Sequence, residues 1–216
     1  TFTNKAALEM KNRISLITSE SVSRGIWMGT FHSIFARILR SEAPLIGYPT
    51  NFTIYDTYDS EKLISNIIKE KKLDKDTYKA KSIKNRISSL KNNFITVENY
   101  FNNSELIEVD KAAKRDLFGE IYQEYVRRCF KASVMDFDDL LLKTNELLNK
   151  SPETLLKYQQ KFKYILVDEY QDTNYSQYLI VKALADRHEN LCVVGDDSQS
   201  IYSFRGANID NILNFK

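Results

Sequence analysis

Cysteine and histidine are scarce in this chain, which limits the kinds of site it can build. The 216 residues include two cysteines, Cys129 and Cys192, which lie far apart. They do not form the framework of a disulfide-rich secreted protein, and they lack the paired spacing of a zinc site. The two histidines, His32 and His188, also lie far apart in the sequence, so neither has a partner suited to a metal centre. We therefore expect a protein of a reducing, intracellular compartment.

Long apolar runs and a strong excess of one charge are also absent. No stretch approaches the roughly eighteen apolar residues of a membrane-spanning helix, and no signal peptide is visible. The formal net charge of +2 is almost balanced, so the composition as a whole does not indicate a nucleic-acid-binding protein. The chain begins without methionine and within a structural element, which we interpret as the start of an excised fragment.

The segment 163–174, KYILVDEYQDTN, is the most informative stretch. Its apolar run 164–167 has the length and β-branched character of a strand buried on both faces. Asp168 and Glu169 follow directly. Ligands bind at the carboxyl ends of parallel strands, and two adjacent carboxylates there suit a nucleotide site, one for Mg²⁺ and one for an attacking water. Taken alone, the pair is equally compatible with an acidic loop that only caps the next helix.

A second stretch repeats this arrangement. The run 191–194, LCVV, predicts another buried strand, and the polar loop GDDSQSIYSFRGA follows it. A segment of helical length, 176–187, separates the two strands. Two strands joined in this way predict a parallel βαβ unit, with Cys192 inside the core and both polar loops at one edge of the sheet.

Together, VDEYQDTN and VVGDDSQSIYSFRGA resemble the second and third helicase motifs of the UvrD/PcrA/Rep group of superfamily 1 DNA helicases. The resemblance implies an α/β fold: a RecA-like P-loop NTPase parallel sheet, here incomplete, with an inserted all-helical subdomain. It implies ATP and Mg²⁺ as cofactors, and single-stranded DNA and single-strand/duplex junctions as partners. A cytoplasmic, nucleoid-associated enzyme of DNA repair or replication is the expected setting.

The family pattern also implies roles for residues around the nucleotide. Asp168 coordinates Mg²⁺, Glu169 is the catalytic base for the attacking water, and Gln199 senses the γ-phosphate. Gln171 is expected near the cofactor, and Gln171 and Arg205 are expected to relay the state of the nucleotide to the third motif. All five residues stand at positions that match the motifs.

Two further strings resemble DNA-binding motifs of the same group. TFTNKAA at the start of the chain is similar to motif Ia, so Phe2, Thr3 and Asn4 are expected to line the single-stranded DNA. An aromatic ring, a hydroxyl and an amide suit stacking and phosphate contacts. GTFHS, which follows a predicted third buried strand at 26–29, is similar to motif Ib and implies that Thr30 and His32 lie close to the DNA backbone.

Aromatic side chains of the third motif complete the expected DNA site. Tyr202 and Phe204 offer faces to bases, each stack being worth roughly 1–3 kcal/mol. Many members of the group have tryptophan where Phe204 stands, and phenylalanine keeps the π-face with a smaller area.

Residues 44–133 contain helical periodicities at 61–72, 78–91 and 109–131, but no run typical of a buried strand. The resemblance makes them the inserted domain 1B, with 1–43 and 134–216 forming part of domain 1A. Between residues 62 and 92, ten Lys/Arg stand against three Asp/Glu, a local net charge of +7. A solvated face explains such a run by itself; with the resemblance, contact with duplex phosphates is the better interpretation. The acids of DFDDLL, 136–141, suit helix capping, and the resemblance implies that this helix start lies near the DNA.

The phosphate-binding sequence GxxxxGK[ST] does not occur in the chain. Since phosphoryl transfer depends on positioning and clamping of the phosphates, we expect the fragment alone to be inactive and its parent to be an ATPase. Two alternatives stay open: the motor of a RecB/AddA-like helicase-nuclease, and a DNA-binding module that does not hydrolyse ATP.

Overall fold

The computed structural model describes residues 1–200, 207 and 211. Within them, helices predominate and the strands are three residues long. The helices are α1 Asn4–Ile17, α2 Glu20–Gly25, α3 Phe31–Glu42, α4 Thr57–Glu70, α5 Ala80–Asn92, α6 Val97–Phe101, α7 Ser104–Ala112, α8 Phe118–Lys131, α9 Phe137–Lys150, α10 Pro152–Lys161 and α11 Tyr175–Ala185. The strands are β1 Thr53–Tyr55, β2 Val134–Asp136, β3 Ile165–Val167 and β4 Leu191–Val193.

Side-chain caps fix where the helices begin. Thr3 accepts a hydrogen bond from the backbone of Ala6 and caps α1. Asp136 and Asp139 form a reciprocal capping box at the start of α9, and Asn174 forms one with Gln177 at the start of α11. Each box satisfies backbone N–H groups that a helix start leaves unpaired, typically stabilising it by about 1 kcal/mol. The predicted capping role of the DFDDLL acids is confirmed.

The βαβ unit is confirmed: β3 and β4 pair in parallel, and α11 connects them. Leu166 lies opposite Cys192, and Val167 lies opposite Val193. Parallel pairing brings the loops after both strands to the same edge. This places the residues after Val167 beside those after Val193.

The prediction that these strands are buried on both faces is wrong. Val167 is buried, whereas Leu166 is 75% exposed and Cys192 is also exposed rather than in the core. Side chains alternate between the two faces of a strand. Among the described residues, α11 and its neighbours pack on the face that carries Val167, so the other face keeps its apolar side chains in solvent.

A second parallel pair corrects the expectation of an all-helical insertion. Strand β1 runs beside β2, with Thr53 opposite Val134 and Tyr55 opposite Asp136. This pairing brings together the two ends of the helical segment 56–133. β1 was missed because its side chains are partly exposed, and such a short run lacks the apolar density on which strand prediction depends. The periodicity at 109–131 is likewise interrupted, since α7 ends at Ala112 and α8 begins at Phe118.

The predicted third strand at 26–29 is also wrong. Ile26 has extended backbone angles, φ −79° and ψ 130°, and Trp27 packs against the main core. No described segment runs beside these residues to complete a hydrogen-bonded ladder. The sequence correctly predicted an extended apolar segment, but a strand also requires a neighbour.

Two separate hydrophobic cores result. The first combines α3, α9, α10, α11 and β3, and it also contains Tyr48 and Phe52. The second lies among α4, α5, α6 and α8, around Ile64, Tyr122 and Cys129. In the part of the chain that the structure describes, no helix has the length and apolar character needed to cross a membrane.

Candidate nucleotide site and DNA-facing residues

Asp168 and Glu169 leave the carboxyl end of β3, where the chain turns sharply. Glu169 adopts a left-handed backbone with φ 56° and ψ 42°. The other non-glycine residues with positive φ in the described part of the chain follow helix ends, but Glu169 follows a strand. Such a conformation costs roughly 1–3 kcal/mol and persists where surrounding contacts hold it. The turn therefore indicates a position that is fixed by its neighbours.

Gln171 supplies the contact that holds Glu169. It is 1% exposed. Its Nε2 donates to Glu169 Oε2 at 2.8 Å, and its Oε1 accepts from the backbone N–H of Asp196 at 3.1 Å. A carboxylate accepts and an N–H donates, so one orientation of the amide satisfies both bonds. Gln171 thus ties the loop after β3 to the loop after β4.

The second loop continues this chain of hydrogen bonds. Asp196 accepts from Gln199 Nε2 at 2.8 Å and from the backbone of Ser198 at 3.0 Å. These bonds, the one from Gln199 first, lower the pKa of Asp196 because they favour its charged form. Glu169, Gln171, Asp196 and Gln199 form one continuous chain between the two predicted motifs. Asp196 was not predicted as a site residue, although its position directly after the strand and Gly195 was a usable signal.

Asp168 is suited to a magnesium ion that arrives with phosphates. It is half-buried at the strand end, and its Oδ2 accepts from the Thr1 hydroxyl at 3.3 Å. Across the described residues, no group of three or more His, Cys, Asp or Glu side chains is arranged to hold a metal. Mg²⁺ commonly uses one or two carboxylates, with water and substrate phosphates completing its octahedron. The single carboxylate of Asp168 is compatible with that chemistry.

The predicted motif Ia and Ib residues occupy helix starts. Thr3 caps α1, Asn4 is its first residue, and both are exposed, whereas Phe2 is half-buried. Thr30 caps α3 by accepting from the backbone of Ser33 at 3.3 Å. A threonine hydroxyl that accepts in a cap still has its hydrogen to donate. Capping and contact with a phosphate are therefore compatible for Thr3 and Thr30.

His32 lies against the start of α9. Its ring is 4.9 Å from the ring of Phe137, which is 56% exposed. Burial lowers the pKa of His32, and the opposing effect of the Asp138 carboxylate is smaller, so the imidazole is neutral at pH 7. Phe137 was not singled out from the sequence. An exposed aromatic directly after a capping aspartate was the signal that could have found it.

Residues 1–216 match the family of UvrD/REP helicase N-terminal domains. The chain belongs to this family. The ATP-dependent DNA helicase PcrA of Leuconostoc citreum is 44% identical over 216 residues, which are the whole chain and 28% of the relative. PcrA of Bacillus subtilis is 46% identical with the same coverage, and PcrA of Staphylococcus epidermidis is 44% identical over 219 residues. The chain thus spans less than a third of the length of these relatives.

In this UvrD/REP family chain, fewer basic side chains of the stretch 62–92 are available to an external partner than the sequence suggested. Arg86 pairs with Asp110 at 3.1 Å, and Lys71 pairs with Glu120 at 2.6 Å. Lys91 is fully buried, at 0% exposure, and is therefore unable to reach a phosphate. By contrast, Lys75, Lys79 and Lys81 are exposed. Lys62, Lys69 and Lys72 of the same stretch are exposed as well. These exposed lysines together supply the charge available to an external partner.

Lys91 instead forms a buried ionic cluster. Its Nζ lies 2.7 Å from Asp136 and 2.8 Å from Asp139, and Tyr125 donates to Asp136 at 2.7 Å. Burial opposes the charge on Lys91, but the two carboxylates outweigh it and raise its pKa. Burial, followed by repulsion from Asp136, raises the pKa of Asp139 to about 6. The cluster fastens the end of α5 to the start of α9.

Three predicted site residues, Tyr202, Phe204 and Arg205, lie outside the described residues. Two described residues near them, Ala207 and Asn211, contact the segment that follows β3. Ala207 forms an isolated antiparallel bridge with Asn174, and Asn211 donates to the backbone of Thr173 at 3.0 Å. Ala207 and Asn211 therefore lie against residues 173–174.

Proposed function

We propose that this chain is the central part of the motor of an ATP-dependent DNA helicase. The motor moves along single-stranded DNA from 3′ to 5′ and unwinds duplex DNA during repair or replication. The hydrogen-bond chain from Glu169 through Gln171 and Asp196 to Gln199 carries this proposal, since it joins the two acid-containing loops at one sheet edge. The family match and the PcrA relatives support it.

In this proposal each loop residue has a separate role. Asp168 binds Mg²⁺, which neutralises phosphate charge when it is bound. Glu169, aimed by its left-handed turn and by Gln171, orients and deprotonates the water that attacks the γ-phosphate. Gln199 contacts the γ-phosphate, and its bond to Asp196 links that contact to the first loop. Gln171 has both ends of its amide engaged, which favours positioning over direct contact with the cofactor.

Single-stranded DNA is proposed to follow the helix starts that carry Phe2, Thr3, Asn4, Thr30 and His32. The exposed ring of Phe137 beside His32 adds a stacking surface. Stacked rings bind bases without sequence preference, while hydroxyl and amide groups hold phosphates. Tyr202, Phe204 and Arg205 are proposed to extend this track.

The proposed organisation is a partial RecA-like domain 1A, residues 1–43 and 134–216, with the helical domain 1B, residues 44–133, inserted in it. The second hydrophobic core, from Ile64 to Cys129, supports a separate helical unit, whereas Tyr48 and Phe52 at the start of the proposed insertion belong to the first core. The exposed lysines on the insertion face the duplex at a junction.

Hydrolysis of ATP by the full-length protein, with and without single-stranded DNA, tests the proposal. We expect single-stranded DNA to stimulate hydrolysis strongly, and Glu169→Gln to lower kcat by about 10²–10⁴-fold, the usual contribution of a general base. Glu189→Gln is the matched control, because exposed Glu189 also has a left-handed backbone, with φ 53°. It should leave kcat unchanged.

Other outcomes separate the alternatives. A full-length protein that binds DNA but never hydrolyses ATP is a binding module. ATP-dependent degradation of DNA identifies a helicase-nuclease. Unwinding that starts from 5′ tails and not from 3′ tails contradicts the proposed direction. Hydrolysis by the 216-residue chain alone contradicts the expected need for the phosphate-binding loop.

A further inference from the structure

Asn92 is a buried amide that bridges three distant parts of the chain. It is the last residue of α5 and is 9% exposed. Its Oδ1 accepts from Asn174 Nδ2 at 2.8 Å, and its Nδ2 donates to Asp138 Oδ1 at 3.1 Å. Asn174 is 8% exposed. The insertion, the start of α9 and the start of α11 therefore meet at one side chain.

The hydrogen bonds of this bridge have a fixed direction. Asn174 Oδ1 accepts from the backbone of Gln177 at 2.9 Å, which leaves its Nδ2 for Asn92. Asp138 accepts because it is a carboxylate, so Asn92 must present its Nδ2 to it. Each amide has one orientation that satisfies both neighbours. A buried network of this kind specifies a single geometry, which apolar packing of the same groups does not.

The two ends of the bridge belong to different proposed sites. Asn174 caps α11 and directly follows the loop that carries Asp168, Glu169 and Gln171. Asp138 follows Phe137, whose ring packs on His32. The bridge thus extends from the nucleotide loop to the DNA-facing start of α9.

Neighbouring contacts hold the end of α5 in place. The backbone oxygen of Lys91 accepts from Ser176 Oγ at 2.8 Å. The ammonium group of Lys91 is bound by Asp136 and Asp139. The end of α5 is therefore bonded both to the start of α9 and to the start of α11.

We propose that Asn92 is a positioning residue that couples DNA binding at the start of α9 to the geometry of the loop carrying Asp168 and Glu169. This inference rests on the proposed helicase function. Asn92 contacts neither DNA nor nucleotide; it keeps the two sites in register. Removing it should reduce the stimulation of ATP hydrolysis by DNA while leaving each site able to bind its own ligand.

The test measures four quantities in the full-length protein: kcat without DNA, kcat with saturating single-stranded DNA, KM for ATP, and Kd for single-stranded DNA. In Asn92→Asp, the new carboxylate faces Asp138 and breaks the bridge. We expect the stimulation of kcat by DNA to fall at least about fivefold, the lower range of coupling between sites. The other three quantities should stay within about twofold, because the sites themselves are intact.

A reciprocal exchange gives the decisive control. In Asn92→Asp combined with Asp138→Asn, the new amide at 138 donates to the new carboxylate at 92, and Asn174 keeps its acceptor. Stimulation should return to at least about half the wild-type value. Asn92→Ala, which adds no charge, should lose stimulation as Asn92→Asp does. Asn93→Ala, which changes an exposed amide at the same helix end bonded to the backbone of Ser89, should have no effect.

The proposal is overturned if Asn92→Asp lowers kcat equally with and without DNA, if stimulation is unchanged, or if the exchange fails to restore it. A wild-type protein without DNA-dependent hydrolysis contradicts the proposed function itself. Because the wild type is measured first, the two failures are distinguishable.

Discussion

Gln171 Nε2 lies 2.8 Å from Glu169 Oε2, across a turn in which Glu169 has a left-handed backbone. The hydrogen bond and the left-handed backbone of Glu169 are energetically linked. A non-glycine residue in this conformation is costly, and the hydrogen bond from a buried amide offsets part of that cost. The carboxylate is consequently held in one direction before any ligand arrives. Preorganised groups of this kind are what phosphoryl transfer requires of a protein.

Replacing Gln171 by methionine tests this relationship. The change removes both side-chain hydrogen bonds and keeps the volume, so we expect kcat of the full-length protein to fall about 10–100-fold, as misplacement of a catalytic group typically does. KM for ATP should change less than about threefold if Gln171 positions Glu169 without binding the nucleotide. Gln159→Met, which removes a buried amide bonded to Ala183, is the control for general destabilisation. A large rise in KM would instead support the predicted contact with the cofactor.

Removal of the buried ammonium of Lys91 should be strongly destabilising. Lys91→Met leaves Asp136 and Asp139 buried beside one another without a counter-charge, and breaking a buried ion pair typically costs about 3–5 kcal/mol. Lys81→Met on the exposed face of the same helix should cost less than about 0.5 kcal/mol. Urea-induced unfolding measures both. Equal midpoints for the two variants would contradict the structural role assigned to Lys91.

The same cluster should make stability depend on pH. Burial and Asp136 raise the folded-state pKa of Asp139 from 3.8 to about 6, against the opposing effects of Lys91 and Lys143. Between pH 4 and 6 the folded state therefore binds the proton that the unfolded state releases, so this contribution to stability falls as the pH rises. Burial opposes the charge on Asp136, but Lys91 outweighs it and lowers the pKa of Asp136. The contribution of Asp136 to stability is therefore lost only when the pH falls below 4, outside the interval in which Asp139 titrates.

Asp139→Asn removes the titrating group and keeps an acceptor for the backbone of Asp136. The free energy of unfolding, measured at intervals from pH 4 to pH 6, should decrease more steeply in the wild type than in this variant. A difference between the two proteins that stays constant over this interval would show that Asp139 does not titrate there.

Three exposed lysines of the basic stretch 62–92 should act as a group. Changing Lys75, Lys79 and Lys81 to glutamine should weaken binding to a duplex with a single-stranded tail. A plot of the logarithm of the binding constant against the logarithm of the salt concentration has a negative slope. The variant should make this slope shallower by about 0.9 for each phosphate that it no longer neutralises. The same change at Lys150, Lys163 and Lys182, which are exposed outside the insertion, is the control. Equal weakening in the two triple variants would indicate a general charge effect.

Local chemistry explains what the sequence predicted well. The βαβ unit was predictable because its strands are apolar and a helix of ordinary length connects them. The caps formed by Thr3, Asp136 and Asn174 can be read from the sequence, because capping depends on residues three positions apart. In each case the determining interactions lie within a few residues of one another.

Three of the failures involve partners that are distant in sequence. Whether 26–29 is a strand depends on a neighbour, and whether Leu166 is buried depends on what covers that face. Lys91 was counted among the charges of an exposed segment, yet Asp136 and Asp139, on another element, decide its environment. Composition gives the charge of a lysine; the tertiary structure determines whether solvent reaches it.

The pairing of Thr53 with Val134 has a consequence for how the chain folds. Closing a loop costs entropy that grows with its length, and long-range pairing is correspondingly slow. The second hydrophobic core draws all its residues from inside that loop, so it can condense without waiting for the strands to meet. Once condensed, it shortens the effective distance between β1 and β2. We therefore expect residues 64–129 to fold first and the residues outside the β1–β2 loop to be completed last.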